Sequence, residues 1–342
     1  LKDQPNRWSQ QKDLANTKAL FPEYKELVSH TLQDVIARVD KTYTRWLKGD
    51  KNGKKSGRPR FKGQGRYRSL TFPDPIKPEH IQGKFIQLPK IGKVKAILHR
   101  PIPDDFKIKT ATITRKADGW YIGLSLEDMT VPSLKTDAIP TPDNTVGIDM
   151  GLKSFLVTSD NKVITIPQYY RKAEKKLKRL QRQLSRKKKG SNRCKKAIRR
   201  VAKAYLKITN QRQDFHYKTA QWLVSQYRFI AYEKLNITGL AKTRLAKSIL
   251  DAGWGQFLDI VNLKAANAGG AGIPQNSYKT SIECSDCAAE IPKTLSDRWH
   301  NCSCGASYCR DHNAARNIKY RAVGHPALIK AREMSDAIAG VT

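Results

Sequence analysis

The sequence predicts a multidomain α/β protein in which a helical region and a small β-barrel precede an α/β domain. Three observations carry this reading. Short β-rich segments separated by Pro, Gly and Asp-Gly crowd residues 70–132. From Thr145 three short strands give way to long helical stretches and then a further apolar strand. Five of the six cysteines fall within 26 residues, from Cys284 to Cys309. The length, 342 residues, suits two or three domains.

Composition narrows the partner. The chain carries 65 Lys+Arg against 30 Asp+Glu, a net charge of +35. Such an excess calls for a polyanion, and nucleic acid is the default one, since each phosphate contact releases a counterion. An acidic membrane surface would need an amphipathic helix with a broad apolar face beside the basic one. With 39% hydrophobic residues the chain has material for a core, which excludes full disorder. No run approaches 18 apolar residues, which excludes a membrane-spanning helix. The start lacks the charged, apolar, small-residue order of a signal peptide.

The elements follow in order. Residues 1–50 read as helical, with Leu20, Tyr24, Leu27, Leu32, Val35, Ile36, Val39, Tyr43 and Trp46 at the spacing of a packed helix pair. Residues 48–68 read as a basic loop, with Arg58, Arg60 and Lys62 as candidate phosphate contacts. Strands are expected at 70–72, 85–88, 93–98, 110–115 and 120–126. Residues 133–144, with Pro140 and Pro142 and no periodicity, read as a linker. Strands at 145–149, 154–159 and 163–166 form a meander with tight turns.

A basic helical hairpin comes next. Residues 171–207 hold 18 Lys/Arg and a single acid, Glu174. Leu177, Leu180 and Leu184 mark its first helix; Ile198, Val201, Tyr205 and Ile208 mark its second. Arg182, Lys187, Lys188, Lys189, Lys195, Lys196, Arg199 and Arg200 are the candidate phosphate contacts. A coiled coil would want both signs of charge beside its seam. A separate helix is expected through 216–224, then a strand at 229–232 ending at Glu233, a helix from Trp254, and a last helix from near Asp311.

Three acids stand at element ends: Asp149 in Gly147-Ile148-Asp149-Met150-Gly151, Glu233 after its strand, and Asp311 in the first turn of a helix. Singly each is ordinary, since an Asp at a helix start is usually a cap. Together, in the order meander, helices, fourth strand, they match an RNase H-like fold, where such acids converge. Carboxylates suit Mg²⁺, a hard cation wanting oxygen ligands. Two such ions about 4 Å apart serve phosphodiester hydrolysis.

Cys284-x-x-Cys287 is a zinc half-site, and Cys302-Ser303-Cys304 supplies a second after 14 residues. Four thiolates would close one structural zinc site, holding an insertion too small for its own core. The second pair is tighter than usual, so His300 and Cys309 remain alternatives for the fourth ligand. Cys194, in the hairpin, reads as structural.

At these residues the sequence resembles the TnpB (OrfB) family of insertion-sequence transposons, related to type V CRISPR effectors. The matching motifs are Gly147-Ile148-Asp149-Met150-Gly151-Leu152-Lys153-Ser154-Phe155, Glu233-Lys234-Leu235, Thr280-Ser281 before Cys284-Ser285-Asp286-Cys287, and Arg310-Asp311-His312-Asn313-Ala314-Ala315-Arg316-Asn317-Ile318. Gly57-Arg58-Pro59-Arg60-Phe61-Lys62 is similar to the family's basic stretch. The resemblance spans essentially the whole chain. It implies an RNA-guided DNA endonuclease with a RuvC-like domain, Asp149, Glu233 and Asp311 as the Mg²⁺ triad, two Mg²⁺ per site, one structural Zn²⁺, and guide RNA and target DNA as partners. No membrane partner is implied, and the setting is the cytoplasm of a prokaryote, at the nucleoid.

The implied organisation is a helical recognition region with basic loop at 1–68, a wedge-like barrel at 69–132, the linker at 133–144, nuclease segments at 145–279 and 308–342, and a zinc ribbon at 280–307. Relatives normally begin with a Met and a first barrel strand upstream of what stands here, so an N-terminal truncation is expected. Two other functions are weighed. One is a non-catalytic nucleic-acid-binding relative. The other is a strand-transferring transposase, whose acids commonly run Asp, Asp, Glu rather than Asp, Glu, Asp.

Overall fold

The computed structural model describes residues 6–50, 53–63, 65–74, 76–128, 138–294 and 296–329. The chain divides into two compact units, Leu1–Pro132 and Ser133–Thr342. The first part of the expected linker, 133–137, and the end of the chain, 330–342, lie outside the described residues. Among the described residues no helix is long and apolar enough to cross a membrane.

The first unit opens with Arg7–Lys12 (α1), Leu14–Leu20 (α2), a 3-10 turn at Pro22–Glu26 and Ser29–Leu47 (α3). Among the described residues the apolar stripe expected to pack a helix pair is largely left uncovered. Leu20, Tyr24, Leu27, Val35, Val39 and Tyr43 are exposed, and the buried positions of α3 are Thr31 and Leu32. α2 has only seven residues. Pro22, with fixed φ and no N–H, then turns the chain before α3.

Six strands follow: Ser69–Phe72 (β1), Ile81–Gln82 (β2), Phe85–Leu88 (β3), Gly92–Lys95 (β4), Phe106–Arg115 (β5) and Trp120–Asp128 (β6). They make two antiparallel sheets, ordered β1-β5-β6 and β2-β3-β4, around a core of Phe72, Ile76, Ile86, Leu88, Ile108 and Ala111. The strand expected at 93–98 stops at Lys95, and Ile97 beyond it is exposed. The basic stretch 53–68 has no regular structure among its described residues, and Arg58, Arg60 and Lys62 are exposed.

The second unit is built on Thr145–Asp149 (β7), Ser154–Thr158 (β8) and Val163–Thr165 (β9), an antiparallel meander. Tyr169–Ser185 (α4) and Asn192–Gln226 (α5) follow, then Phe229–Glu233 (β10). After these come Ile237–Leu240 (α6), Ala246–Ala252 (α7), Trp254–Asn267 (α8) and Ala271–Gln275 (β11). Trp299–Asn301 (β12), Ser307–Cys309 (β13) and Arg310–Val323 (α9) complete it. The main sheet is ordered β11-β10-β7-β8-β9, with β10 parallel to both β7 and β11. β11 is new relative to the sequence reading. Its Gly272 and Pro274 look like a loop, but a sheet-edge strand tolerates a proline that lacks its N–H.

Val146, Ile148, Phe155, Leu156 and Ile230 from the sheet meet Ala220 and Leu223 of α5 and Phe257 and Val261 of α8 in one core. His216 belongs to this core. It stacks on Phe155 and its Nε2 donates to the Ala252 carbonyl at 2.9 Å, while burial pulls its pKa down to about 4. It is a neutral packing group.

The hairpin differs from expectation in two ways. α5 runs unbroken for 35 residues, absorbing the helix expected at 216–224, because no Gly or Pro interrupts 192–226. Its buried positions near the turn are Cys194 and Ala197, while Ile198 is exposed. Ser191 caps α5 by accepting from the Cys194 N–H at 3.1 Å. The start of α4 is capped from afar: the buried Asp251 carboxylate of α7 accepts from Tyr170 N and Arg171 N at 2.9 and 3.1 Å. Glu174, the hairpin's acid, binds Lys247 of α7 at 2.7 Å. The basic hairpin is thereby tied to α7 through carboxylates.

α9 lies directly on β7. A Cβ built at Gly147 would fall 2.0 Å from the Ala315 carbonyl oxygen and 2.6 Å from Lys319 N, so backbone would have to move. Gly147→Ala is expected to destabilise the second unit by more than about 2 kcal/mol, by the overpacking this contact forces. Gly57→Ala, where a Cβ meets nothing within 4 Å, is the neutral control. Urea unfolding of the two variants beside the native chain checks this.

Candidate functional site

The register of β7 and β10 places two acids together. Ile148 pairs with Tyr232 in parallel, so Asp149 and Glu233 end adjacent strands at the same edge of the sheet. α9 brings the third acid. Its N-cap is Cys309, and Asp311 lies in the first turn rather than capping it. The helix is pinned over the meander by His312, whose Nε2 donates to the Ser159 carbonyl at 3.0 Å. Asp149, Glu233 and Asp311 all line one cleft of about 200 Å³.

Lys153, Ser281, Arg298 and Arg310 share that cleft. Asp149 and Glu233 sit in surroundings that disfavour their charged forms. Burial, then Glu233 and Asp311, push the Asp149 pKa well up, opposed by Arg310 and the Met150 N–H. Burial also raises Glu233, opposed by a 2.5 Å hydrogen bond from the Thr280 hydroxyl and by Arg321. Like charges desolvated together are stabilised by a cation between them, and an all-oxygen set suits Mg²⁺. The residues therefore fit such an ion, although the carboxylates do not close to the tight spacing of the cysteines described next.

The Sγ atoms of Cys284, Cys287, Cys302 and Cys304 all lie within 4.8 Å of one another. Cys284 Sγ is 3.7 Å from Cys304 Sγ, and Cys287 Sγ is 3.5 Å from Cys302 Sγ. A tetrahedron of thiolates about 2.3 Å from a central zinc has edges of about 3.8 Å. The cluster thus fits a structural zinc. His300 stands apart, buried, with its Nδ1 accepting from Lys293. Cys309 pairs with Trp299 across β12–β13.

All eleven basic residues singled out from the sequence are exposed. Lys187, Lys196 and Arg200 line a cavity of about 350 Å³ between α4 and α5, together with Gln183 and with Arg193, which the sequence had not marked. Arg182, Lys188, Lys189, Lys195 and Arg199 stand outside its lining. Arg58, Arg60 and Lys62 belong to the first unit.

Sequence reasoning missed the cations of the acid cleft. Arg310 was visible beside Asp311 within its motif. Arg298 has no local signal, because only the fold of the cysteine insertion brings it there. Thr280 was part of a motif but carried no assigned chemistry.

Residues 128–244 match the OrfB_IS605 family, described as "Probable transposase", and residues 254–318 match the Cas12f1-like TNB domain. Two bacterial proteins similar to the chain carry the name "Putative RNA-guided DNA endonuclease". The one from Streptomyces pristinaespiralis is 31% identical over 223 residues, covering 64% of this chain and 54% of that protein. The one from Escherichia coli, InsQ, is 28% identical over 322 residues, covering 89% of this chain and 76% of that protein. The chain thus spans about half the length of the Streptomyces relative. In solved structures, a Cas12f1–sgRNA–target DNA complex contains a chain of like fold, with a TM-score of 0.50 at 16% identity, covering 85% of this chain and 70% of that one. What fold and site define is a basic α/β protein with an acid cleft and a four-cysteine insertion. The chain resembles the OrfB/TnpB family of transposon-associated proteins, whose family model matches its residues 128–244.

The cysteine geometry makes a test. Purified chain is expected to carry one zinc, retained in Cys309→Ser and lost in Cys302→Ser. Metal analysis after gel filtration checks it; zinc lost from Cys309→Ser but kept in Cys302→Ser would contradict the assignment.

Proposed function

We propose that the second unit is an RNase H-like, RuvC-type nuclease domain and that the chain acts as a metal-dependent, RNA-guided DNA endonuclease of an insertion sequence. One observation carries this: Asp149, Glu233 and Asp311, from two parallel strand ends and a helix start, line a single cleft with cations at its walls. The names of the relatives supply the RNA-guided DNA substrate class.

In this reading the three carboxylates hold Mg²⁺. The metal, when bound, supplies activation of the attacking water and charge stabilisation at the leaving 3′ oxygen. Lys153, Arg298 and Arg310 draw the backbone phosphate into the cleft against its acids and orient it there. The helical hairpin holds the duplex by its phosphates. Bidentate reading of base edges needs rigidly held Arg, Asn or Gln, and the hairpin's run of lysines suits a phosphate track instead. Each neutralised phosphate adds about 0.9 to the log–log salt slope on a duplex, so affinity would be steeply salt-dependent. The cysteine insertion, 280–307, is a zinc ribbon seated against the helix that carries Asp311.

Asp149→Ala, Glu233→Ala and Asp311→Ala are each expected to reduce Mg²⁺-dependent cutting of guide-matched DNA to the level of a metal-free control. Binding should stay nearly native, since one charge in a +35 chain barely alters the phosphate-binding surface. Cleavage gels beside a binding titration read both. Retained cutting in all three variants would remove the triad. Joined rather than free DNA ends would replace hydrolysis with strand transfer.

A further inference from the structure

The Thr280 hydroxyl is 2.5 Å from Glu233 Oε1 and 3.3 Å from the Ser277 carbonyl oxygen. A hydroxyl has one proton to give, and the nearer, charged acceptor takes it. Thr280 is 1% exposed, so no water competes for that bond. The backbone of Thr280 is itself held: its carbonyl accepts from Asn317 Nδ2 at 2.9 Å. The other Asn317 Nδ2 proton goes to the Glu283 carbonyl at 2.7 Å. One turn earlier on α9, Asn313 Nδ2 donates to the same Glu283 carbonyl at 2.7 Å, and its Oδ1 accepts from Ser285 N at 3.0 Å. Both asparagines are buried.

Two amides of α9 thus clasp the backbone of residues 280–285, and the first residue of that segment reaches the acid at the end of β10. A free Glu side chain has more rotamer freedom to lose than almost any other. A carboxylate gripped through one oxygen by a donor that cannot move has already lost it.

We infer that Thr280 is a positioning residue for Glu233, fixing the carboxylate in the orientation in which it binds the divalent cation of the cleft. The inference rests on the metal-site reading of that cleft. Thr280 does not line the cleft; it acts through Glu233. The clasp by Asn313 and Asn317 makes its hydroxyl a fixed point, set by the same helix that carries Asp311. The geometry also gives Thr280 and Ser281 separate tasks. Ser281 lines the cleft, whereas Thr280 stands outside that lining and donates to the acid.

The test uses the full chain with its zinc and reads Mn²⁺ affinity by electron paramagnetic resonance of the free ion. Thr280→Val keeps the shape and removes the donor; Thr280→Ser keeps the donor and removes the methyl. Thr280→Val is expected to weaken Mn²⁺ binding about tenfold or more, as loss of a hydrogen bond to a metal ligand does, and Thr280→Ser to stay within about twofold of native. Zinc content and thermal midpoint should be native in both. Glu233→Gln is the reference for the cleft. Native-like binding by Thr280→Val while Glu233→Gln is weakened would overturn the inference and leave the metal-site reading standing. Equal weakening in Thr280→Ser and Thr280→Val, or loss of zinc from Thr280→Val, would also overturn it, by showing that packing and not the hydroxyl matters. Mn²⁺ binding indifferent to Glu233→Gln would overturn the metal-site reading beneath it.

Discussion

The second unit depends on one close contact, the backbone of α9 against the backbone of β7 at Gly147. Only a residue without a Cβ permits it, and Ala315 opposite is small and fully buried. From that contact the helical period distributes the other tasks. Asp311 and Ala315, four residues apart, lie on the sheet side, one at the cleft and one on β7. Asn313 and Asn317, also four apart, lie on another side and hold the base of the cysteine insertion. A helix standing a few ångströms further out would lose both the third acid and the clasp.

The charge arrangement is a second constraint. In a chain of net charge +35 the acids are scarce, and several have structural work. Asp251 caps α4 and Glu174 ties the hairpin to α7. Glu283 pairs with Arg321 at 2.7 Å at the foot of the insertion, and Asp286 pairs with Arg316 at 2.8 Å. Asp149 and Glu233 differ from these. Their surroundings desolvate them beside other acids, which costs stability unless a cation or a proton offsets the repulsion.

Much of this was legible in the sequence because the signals were local. Short apolar runs and tight turns marked β7, β8 and β10, and β7 and β10 end in Asp149 and Glu233. The Cys-x-x-Cys and Cys-x-Cys pairs gave the four-cysteine set. What was not legible depends on tertiary context. β11 hides behind Gly272 and Pro274, tolerable only at a sheet edge. The unbroken length of α5 needed only the absence of a breaker across 192–226, a weak signal against a change in apolar pattern. The stripe on α3 had a helical period yet is exposed at Val35, Val39 and Tyr43, since periodicity shows that a face is apolar and not that anything covers it. Arg298 and the bond from Thr280 to Glu233 arise from folding the insertion back over the sheet, and no spacing encodes that.

The central claim is that Asp149, Glu233 and Asp311 form one divalent-cation site. Anomalous diffraction from crystals of the chain grown with Mn²⁺ tests it most directly. The account predicts anomalous peaks in the cleft bounded by these three carboxylates, two of them about 4 Å apart when the site is filled. Peaks elsewhere and none among the three acids, at Mn²⁺ concentrations that saturate binding in solution, would contradict it.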